Sequence, residues 1–389
     1  MVRHTAGTRR ERGRIHLLLL IVPALALPQA AVPTAAQAQE RPRIQSDPRP
    51  TSQPHPTTQP KKPRLPKGFV AREIELPNGT KHKYVVFIPP QYALQKDHRF
   101  PVVLFLHGSG ECGTDGIKHT TVGLPRLLAA APKDHPFIVV MPQARTLWFR
   151  GDNLHAAWAA LEATLNRYRT DPDRIYLTGL SMGGFGAWEM AAARPDVFAA
   201  AVPICGVAPM PYVANLVNLP VWAFHGALDR NVPVQGSRDA IAELRRLGGT
   251  PRYTEYPDGD HFCWDRAYGT PELWKWLLEQ KRGQPPREVD YRLPPGSAQQ
   301  VWWLLAKASG ESPEPAHIRV TIQDGGRVEV QSERIVAWAI RSETHPLEIG
   351  NPVSAAWNGH EVFRGQFEGI LAAQATPSAE TPATSAPAP

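Results

Sequence analysis

The stretch YLTGLSMGGFGAWEMA, residues 176–191, brackets one small polar residue, Ser181, with Gly179, Gly183 and Gly184 between a strand-like and a helix-like run. That composition suits a side chain displayed on a sharply bent backbone, because glycine lets the chain pass close on both sides. A Gly-rich connection between two buried elements has the same composition, so the rest of the chain must decide between the two.

Outward from residue 181, solid apolar runs alternate with amphipathic stretches. The runs are PVVLFLH (101–107), FIVVMPQ (137–143), RIYLTGL (174–180), AAAVPICG (199–206) and PVWAFHG (220–226), and the clearest amphipathic stretches are NLHAAWAALEATLNRYR (153–169) and SRDAIAELRRLG (237–248). Fully apolar strands alternating with helices imply a parallel sheet covered on both faces. Ligand sites on such sheets lie beyond the carboxyl ends of the strands. Chemistry-bearing residues should therefore follow the apolar runs, and they do. Ser181 follows RIYLTGL, Asp229 follows PVWAFHG, His261 lies in DGDHFCW (258–264) after RYTEYP, and HGSGECG (107–113) overlaps the end of PVVLFLH. Serine, aspartate and histidine in this order over a parallel sheet is the order of the α/β-hydrolases, whose nucleophile sits in a G-x-S-x-G turn. The expected fold is an α/β-hydrolase domain over 68–282, opened by an antiparallel hairpin in REIELPNGTKHKYVVFIP (72–89), with a small C-terminal all-β module.

A serine hydroxyl is a weak nucleophile near neutral pH and needs a base to take its proton as it attacks. His261 is the candidate base, and Asp229 the candidate acid that orients the imidazole and stabilises its charge. Negative charge develops on the attacked carbonyl oxygen. The amide of Met182, at a helix start, can receive it, with the N–H of Ser109 and its neighbour Gly108 as the second oxyanion donor. Asp258 and Asp260 flank His261 closely and read as turn residues, while His107 and His225, each before a glycine at a strand end, read as turn-fixing histidines. Trp148, Phe149 and Trp264 are candidates to line a cleft, against the plainer reading of core packing. No His, Cys, Asp or Glu cluster has metal-ligand spacing, so neither metal nor cofactor is expected. Cys112, Cys205 and Cys263 all fall near strand ends. Either one pair bridges, Cys112 with Cys263 foremost, or all three are free buried thiols.

Four stretches, LHGSGECGTDG (106–116), DPDRIYLTGLSMGGFGAWEMAAARPDVFAAAVPICG (171–206), HGALDRNVP (225–233) and DHFCWDRAYGTPELWKWL (260–277), resemble the secreted bacterial esterases related to polyhydroxybutyrate depolymerases and feruloyl esterases, a group often labelled predicted peptidases of the prolyl oligopeptidase type. The resemblance covers about residues 72–282. It implies Ser181 as nucleophile, Asp229 as acid, His261 as base, and Met182 with the HGSG loop as oxyanion hole. Asp260 departs from the small or neutral residue common before that histidine, which bears on the pH profile.

The formal net charge is +7, but residues 1–67 hold 12 Lys/Arg and 3 Asp/Glu, leaving 31 against 33 for 68–389. The basic balance thus belongs to the N-terminal arm, and nucleic-acid binding by the folded part is disfavoured. Arg9, Arg10, Arg12 and Arg14 precede IHLLLLIVPALAL and then small residues, the pattern of an export signal over 1–38 cleaved after Ala38, with a secreted or periplasmic protein and no membrane association as the expected outcome. Residues 39–67 are Pro-rich linker, 283–295 a second linker, 296–370 a small β module with hairpins at Asp324-Gly325-Gly326 and Asn358-Gly359, and 371–389 a disordered tail. The leading expectation is a secreted serine esterase acting through an acyl-enzyme on a polysaccharide-linked ester, its oligomeric state open. A serine peptidase is the second reading, and a catalytically silent binding protein the third.

Overall fold

Because every other side chain of a strand faces the same way, a run apolar at every position needs cover on both faces. The computed structural model describes residues 65–341 and 347–375, and it supplies that cover. The expected export signal, nearly all of the first linker and the tail from residue 376 lie outside the described residues. The first eight strands are β1 (Phe69–Glu75), β2 (Lys81–Phe87), β3 (Phe100–Leu106), β4 (Ile138–Pro142), β5 (Thr170–Leu180), β6 (Ala200–Ile204), β7 (Trp222–Gly226) and β8 (Arg252–Tyr256). They form one sheet in the order β1-β2-β4-β3-β5-β6-β7-β8. The β1–β2 hairpin and the β2–β4 pair are antiparallel; from β4 to β8 all neighbours are parallel.

The helices are α1 (Gln91–Leu94), α2 (Leu124–Ala130), α3 (Asn153–Arg167), α4 (Met182–Ala193), α5 (Gln235–Arg246), α6 (Trp264–Tyr268) and α7 (Pro271–Glu279). Val102, Leu104 and Leu106 of β3 share a core with Trp158 and Leu161 of α3, Trp188 of α4 and Ile241 and Leu244 of α5. Val103 and Phe105, one residue out of phase, join Leu124 and Leu128 of α2, Tyr268 of α6 and Leu273 and Leu277 of α7. The alternation of one strand thus serves two cores. Among the described residues no helix is long and apolar enough to cross a membrane.

Nine further strands follow: β9 (Glu288–Leu293), β10 (Ala298–Val301), β11 (Leu304–Ala308), β12 (Ala316–Ile322), β13 (Arg327–Glu333), β14 (Ile335–Arg341), β15 (Pro352–Trp357), β16 (His360–Gln366) and β17 (Ile370–Gln374). They form a five-stranded sheet, β16-β15-β13-β12-β9, and a four-stranded one, β10-β11-β14-β17, around a shared core. The limits differ from the sequence reading at both ends. The stretch 283–295 carries β9, whose Val289, Tyr291 and Leu293 are buried while the residues between them are exposed. Flanking prolines hid that short alternation. At the other end Ala372 and Gln374, assigned to the tail, pair with Ala339 and Ala337 of β14. Trp338 is buried and packs edge-on against Trp357, so both serve this unit's own core.

The second unit grips the first near the end of α4. Tyr291 Oη donates to Ala193 O at 2.6 Å, and Asp196 Oδ2 accepts the Trp302 amide at 3.0 Å. Asn215, 8% exposed, donates to Ala192 O and Arg292 O, both at 3.0 Å, and accepts from the Arg292 amide at 2.8 Å. Replacing Asn215 by alanine leaves these buried groups unpaired and should cost about 1–3 kcal/mol. A urea unfolding curve of Asn215→Ala beside that of the parent protein measures the loss directly.

Candidate active site

Ser181 stands between the last residue of β5 and the first of α4 with φ 53° and ψ −121°, a conformation rare for a residue with a side chain. Its amide donates to Ile204 O at 2.9 Å on the neighbouring strand. A Cβ on Gly183 would lie 2.0 Å from Leu106 O, and one on Gly179 would lie 2.1 Å from Gly183 O, so at both positions only glycine lets the backbones meet. The bend lifts the Ser181 hydroxyl off the sheet edge.

Two loops bring partners to it. Ser181 Oγ lies 2.8 Å from His261 Nε2, and His261 Nδ1 lies 2.7 Å from Asp229 Oδ2. Asp229 follows β7 and His261 follows β8, so three residues distant along the chain share one rim. Asp229 Oδ1 accepts the amides of Asn231 and Val232, each at 2.8 Å. Since Asp229 accepts only, its contact fixes the proton of His261 on Nδ1 and leaves Nε2 to accept from Ser181. Burial of Asp229 opposes its charge, but the Val232 amide, the His261 ring and the Asn231 amide outweigh it and hold the carboxyl below its usual range. Asp260 Oδ1 accepts the Phe262 amide at 2.9 Å, and Asp258 pairs with Arg266 at 2.9 Å, so both acids are engaged locally.

Residues 151–212 match the family model described as the prolyl oligopeptidase family. The putative esterase NocK of Nocardia uniformis subsp. tsuyamanensis is 27% identical over 194 residues, 46% of this chain and 54% of that protein. Poly(3-hydroxyalkanoate) depolymerase C of Paucimonas lemoignei is 35% identical over 121 residues, 27% of this chain and 28% of that protein. The solved structure of a thermostable esterase aligns with a TM-score of 0.50 at 33% identity, over 56% of this chain and 64% of that one. The chain has the α/β-hydrolase fold. The likeness to esterases of this fold, read from the motifs, holds in these comparisons, and the chain spans between 24% and 54% of the length of the curated relatives that it matches.

The HGSG loop lies against Ser181: a Cβ on Gly108 would come within 3.6 Å of the Ser181 Cβ. Met182 opens α4, where the first amides have no acceptor within the helix. Gly108 and Ser109 are held through His107. The ring Nε2 of His107 accepts the Ala144 amide at 2.9 Å, which puts its proton on Nδ1, 2.6 Å from Gly108 O. Trp148 takes part in the same support. It is 1% exposed and donates from Nε1 to His107 O at 2.8 Å, so it offers no face to a ligand and belongs to the core, contrary to the cleft-lining expectation. Phe149 is half-buried. Trp264 is also buried, its ring edge-on to that of His261 at 5.5 Å. The aromatic side chain that is open to solvent here is Phe262, 65% exposed, which contacts the rings of both His261 and Trp264. Its place in a polar loop, next to the histidine, was the available sequence signal.

The cysteines are free thiols, and their arrangement differs from the bridge considered first. Cys205 Sγ lies 3.0 Å from Cys263 Sγ, whereas Cys112 donates to Thr146 O at 3.0 Å. The bond to Cys263 and burial push the Cys205 thiol up, so it stays protonated. Among the described residues Cys205, His225 and Asp229 bring ligand-type atoms within 4.8 Å of one another, but each is taken up by hydrogen bonds within the network.

Burial pushes His107 down to about 4, and burial together with His107 pushes His119 to about 3. Below about pH 6.5 the unfolded chain protonates these imidazoles while the folded one holds them neutral, so stability falls as pH drops towards 4. Urea midpoints measured from pH 7 to pH 4 should decline, and His119→Phe should flatten the decline.

Proposed function

We propose that the protein is a secreted serine hydrolase that cleaves carboxylic esters through an acyl-enzyme. The observation that carries this reading is the continuous hydrogen-bonded run from Ser181 Oγ through His261 to Asp229 on one rim of the sheet. Ser181 Oγ attacks the ester carbonyl carbon while its proton passes to His261 Nε2, and Asp229 stabilises the imidazolium formed. The Met182 amide and the Ser109 amide, with Gly108 behind it, receive the oxyanion. His261 then returns the proton to the departing alcohol. Water, deprotonated by the same ring, attacks the acyl carbon and frees Ser181.

The names of the relatives favour an ester over a peptide: one is a putative esterase and another a poly(3-hydroxyalkanoate) depolymerase. The motif resemblance to feruloyl esterases motivates a polysaccharide-linked ester, and the export pattern over 1–38 motivates secretion. Phe262 is the aromatic surface on which an acyl or alcohol group would rest.

Ser181→Ala should abolish hydrolysis of p-nitrophenyl esters and labelling by a fluorophosphonate; retained turnover removes Ser181 from the chemistry. Amide and ester substrates of one acyl group, assayed side by side, should show turnover of the ester only, and faster cleavage of the amide would favour the peptidase reading. Phe262→Ala should raise KM for feruloyl esters about two- to tenfold with little change in kcat, since an aromatic contact contributes about 0.5–1.5 kcal/mol. An unchanged KM excludes Phe262 as a contact.

A further inference from the structure

Asp229 faces two imidazoles. His225, the penultimate residue of β7, is wholly buried. Its Nε2 lies 3.2 Å from Asp229 Oδ2, the same oxygen that faces His261 Nδ1, and 3.1 Å from Val232 O. A carboxylate and a carbonyl can only accept, so Nε2 carries a proton, which it donates to Val232 O while standing 3.2 Å from Asp229 Oδ2. Burial pushes His225 down, which leaves the ring neutral and its Nδ1 an acceptor. Ser237 Oγ, 2.7 Å from that Nδ1, must then direct its hydrogen to the ring rather than to Gly206 O at 3.0 Å. Ser237 thus orients His225, whose Nε2 stands 3.2 Å from the same Asp229 oxygen that His261 Nδ1 meets at 2.7 Å. With Oδ1 occupied by two amides, Oδ2 is the oxygen left for both rings.

We propose that His225 is a positioning residue of the reaction: its Nε2–H, oriented by Ser237, fixes Asp229 Oδ2 against His261 and shares the charge that oxygen offers to the imidazolium. The proposal rests on the serine-hydrolase reading above. The other titratable groups around the pair are Cys205 at the end of β6, Glu255 opposite His225 on β8, and Asp260 and Cys263 in the loop of His261. Cys205 remains a thiol, and Glu255 is tied to Arg238 at 2.6 Å and held low by it. Without the His225 proton Oδ2 presents more charge to His261, so the ring should keep its proton to higher pH.

The experiment compares the parent protein with His225→Phe, His225→Gln and Ser237→Ala, measuring kcat and KM for p-nitrophenyl acetate from pH 5 to 9 and, independently of turnover, the NMR titration midpoint of the His261 Cε1–H signal. In His225→Phe, kcat should fall about tenfold with KM little changed. The acid limb and the NMR midpoint should both rise by about half a unit. His225→Gln, whose amide N–H reaches the same oxygen, should restore the midpoint, and Ser237→Ala should shift it upward by less. Midpoints unchanged in the variants that fold, with only thermal stability reduced, would mean a structural histidine and overturn the proposal. If His225→Phe does not fold, the Ser237→Ala midpoint decides. A parent protein inert towards every ester would instead remove the esterase reading, while the NMR midpoints still decide the role of His225.

Discussion

The close approach of α4 to β3, where Gly183 leaves no room for even a methyl group against Leu106 O, is the constraint on which the site depends. It forces the chain to turn at Ser181 within one residue, and the turn holds that residue at φ 53°. Such a conformation costs about 1–3 kcal/mol and persists only when the surroundings fix it. Here the Ile204 carbonyl holds the Ser181 amide, and the apolar faces of β3 and α4 share one core. Packing of the sheet therefore pays for a strained residue at its rim.

The polar half of the rim follows a second rule, that buried polar groups must be paired. Asp229 has a fully buried side chain, and the two amides and the His261 imidazole that donate to it, with the His225 imidazole 3.2 Å away, compensate the loss of water. His107 serves the HGSG loop in the same way, both ring nitrogens engaged with backbone. The two histidines that precede glycines at strand ends are thus equivalent in the sequence and different in use. One braces the loop beside Ser181 and the other abuts the acid.

The sheet and the meeting of Ser181, His261 and Asp229 were legible because both rest on order: apolar runs in alternation, and polar residues just after them. Side-chain direction was not legible. Trp148 follows a strand like a cleft residue, yet its indole turns inward to His107, and nothing in a linear pattern separates that rotamer from its alternative. The cysteines fail for a similar reason: Cys205 and Cys263 are 58 positions apart and meet through the β6–β7–β8 stacking, a register set by packing. Phe262 carries a linear signal of its own, an apolar residue in a polar loop, which marks an exposed ring. Strand β9 was lost among prolines, which mark linkers more often than edge strands.

Helix α4 has Ser181 at its head and the second unit at its tail, joined through Ala192 and Ala193. Its 12 residues span about 18 Å at 1.5 Å per residue. A solid support gripping the described residues of 288–341 and 347–375 would therefore hold the protein by its base and turn the rim that carries Ser181 outward into solution.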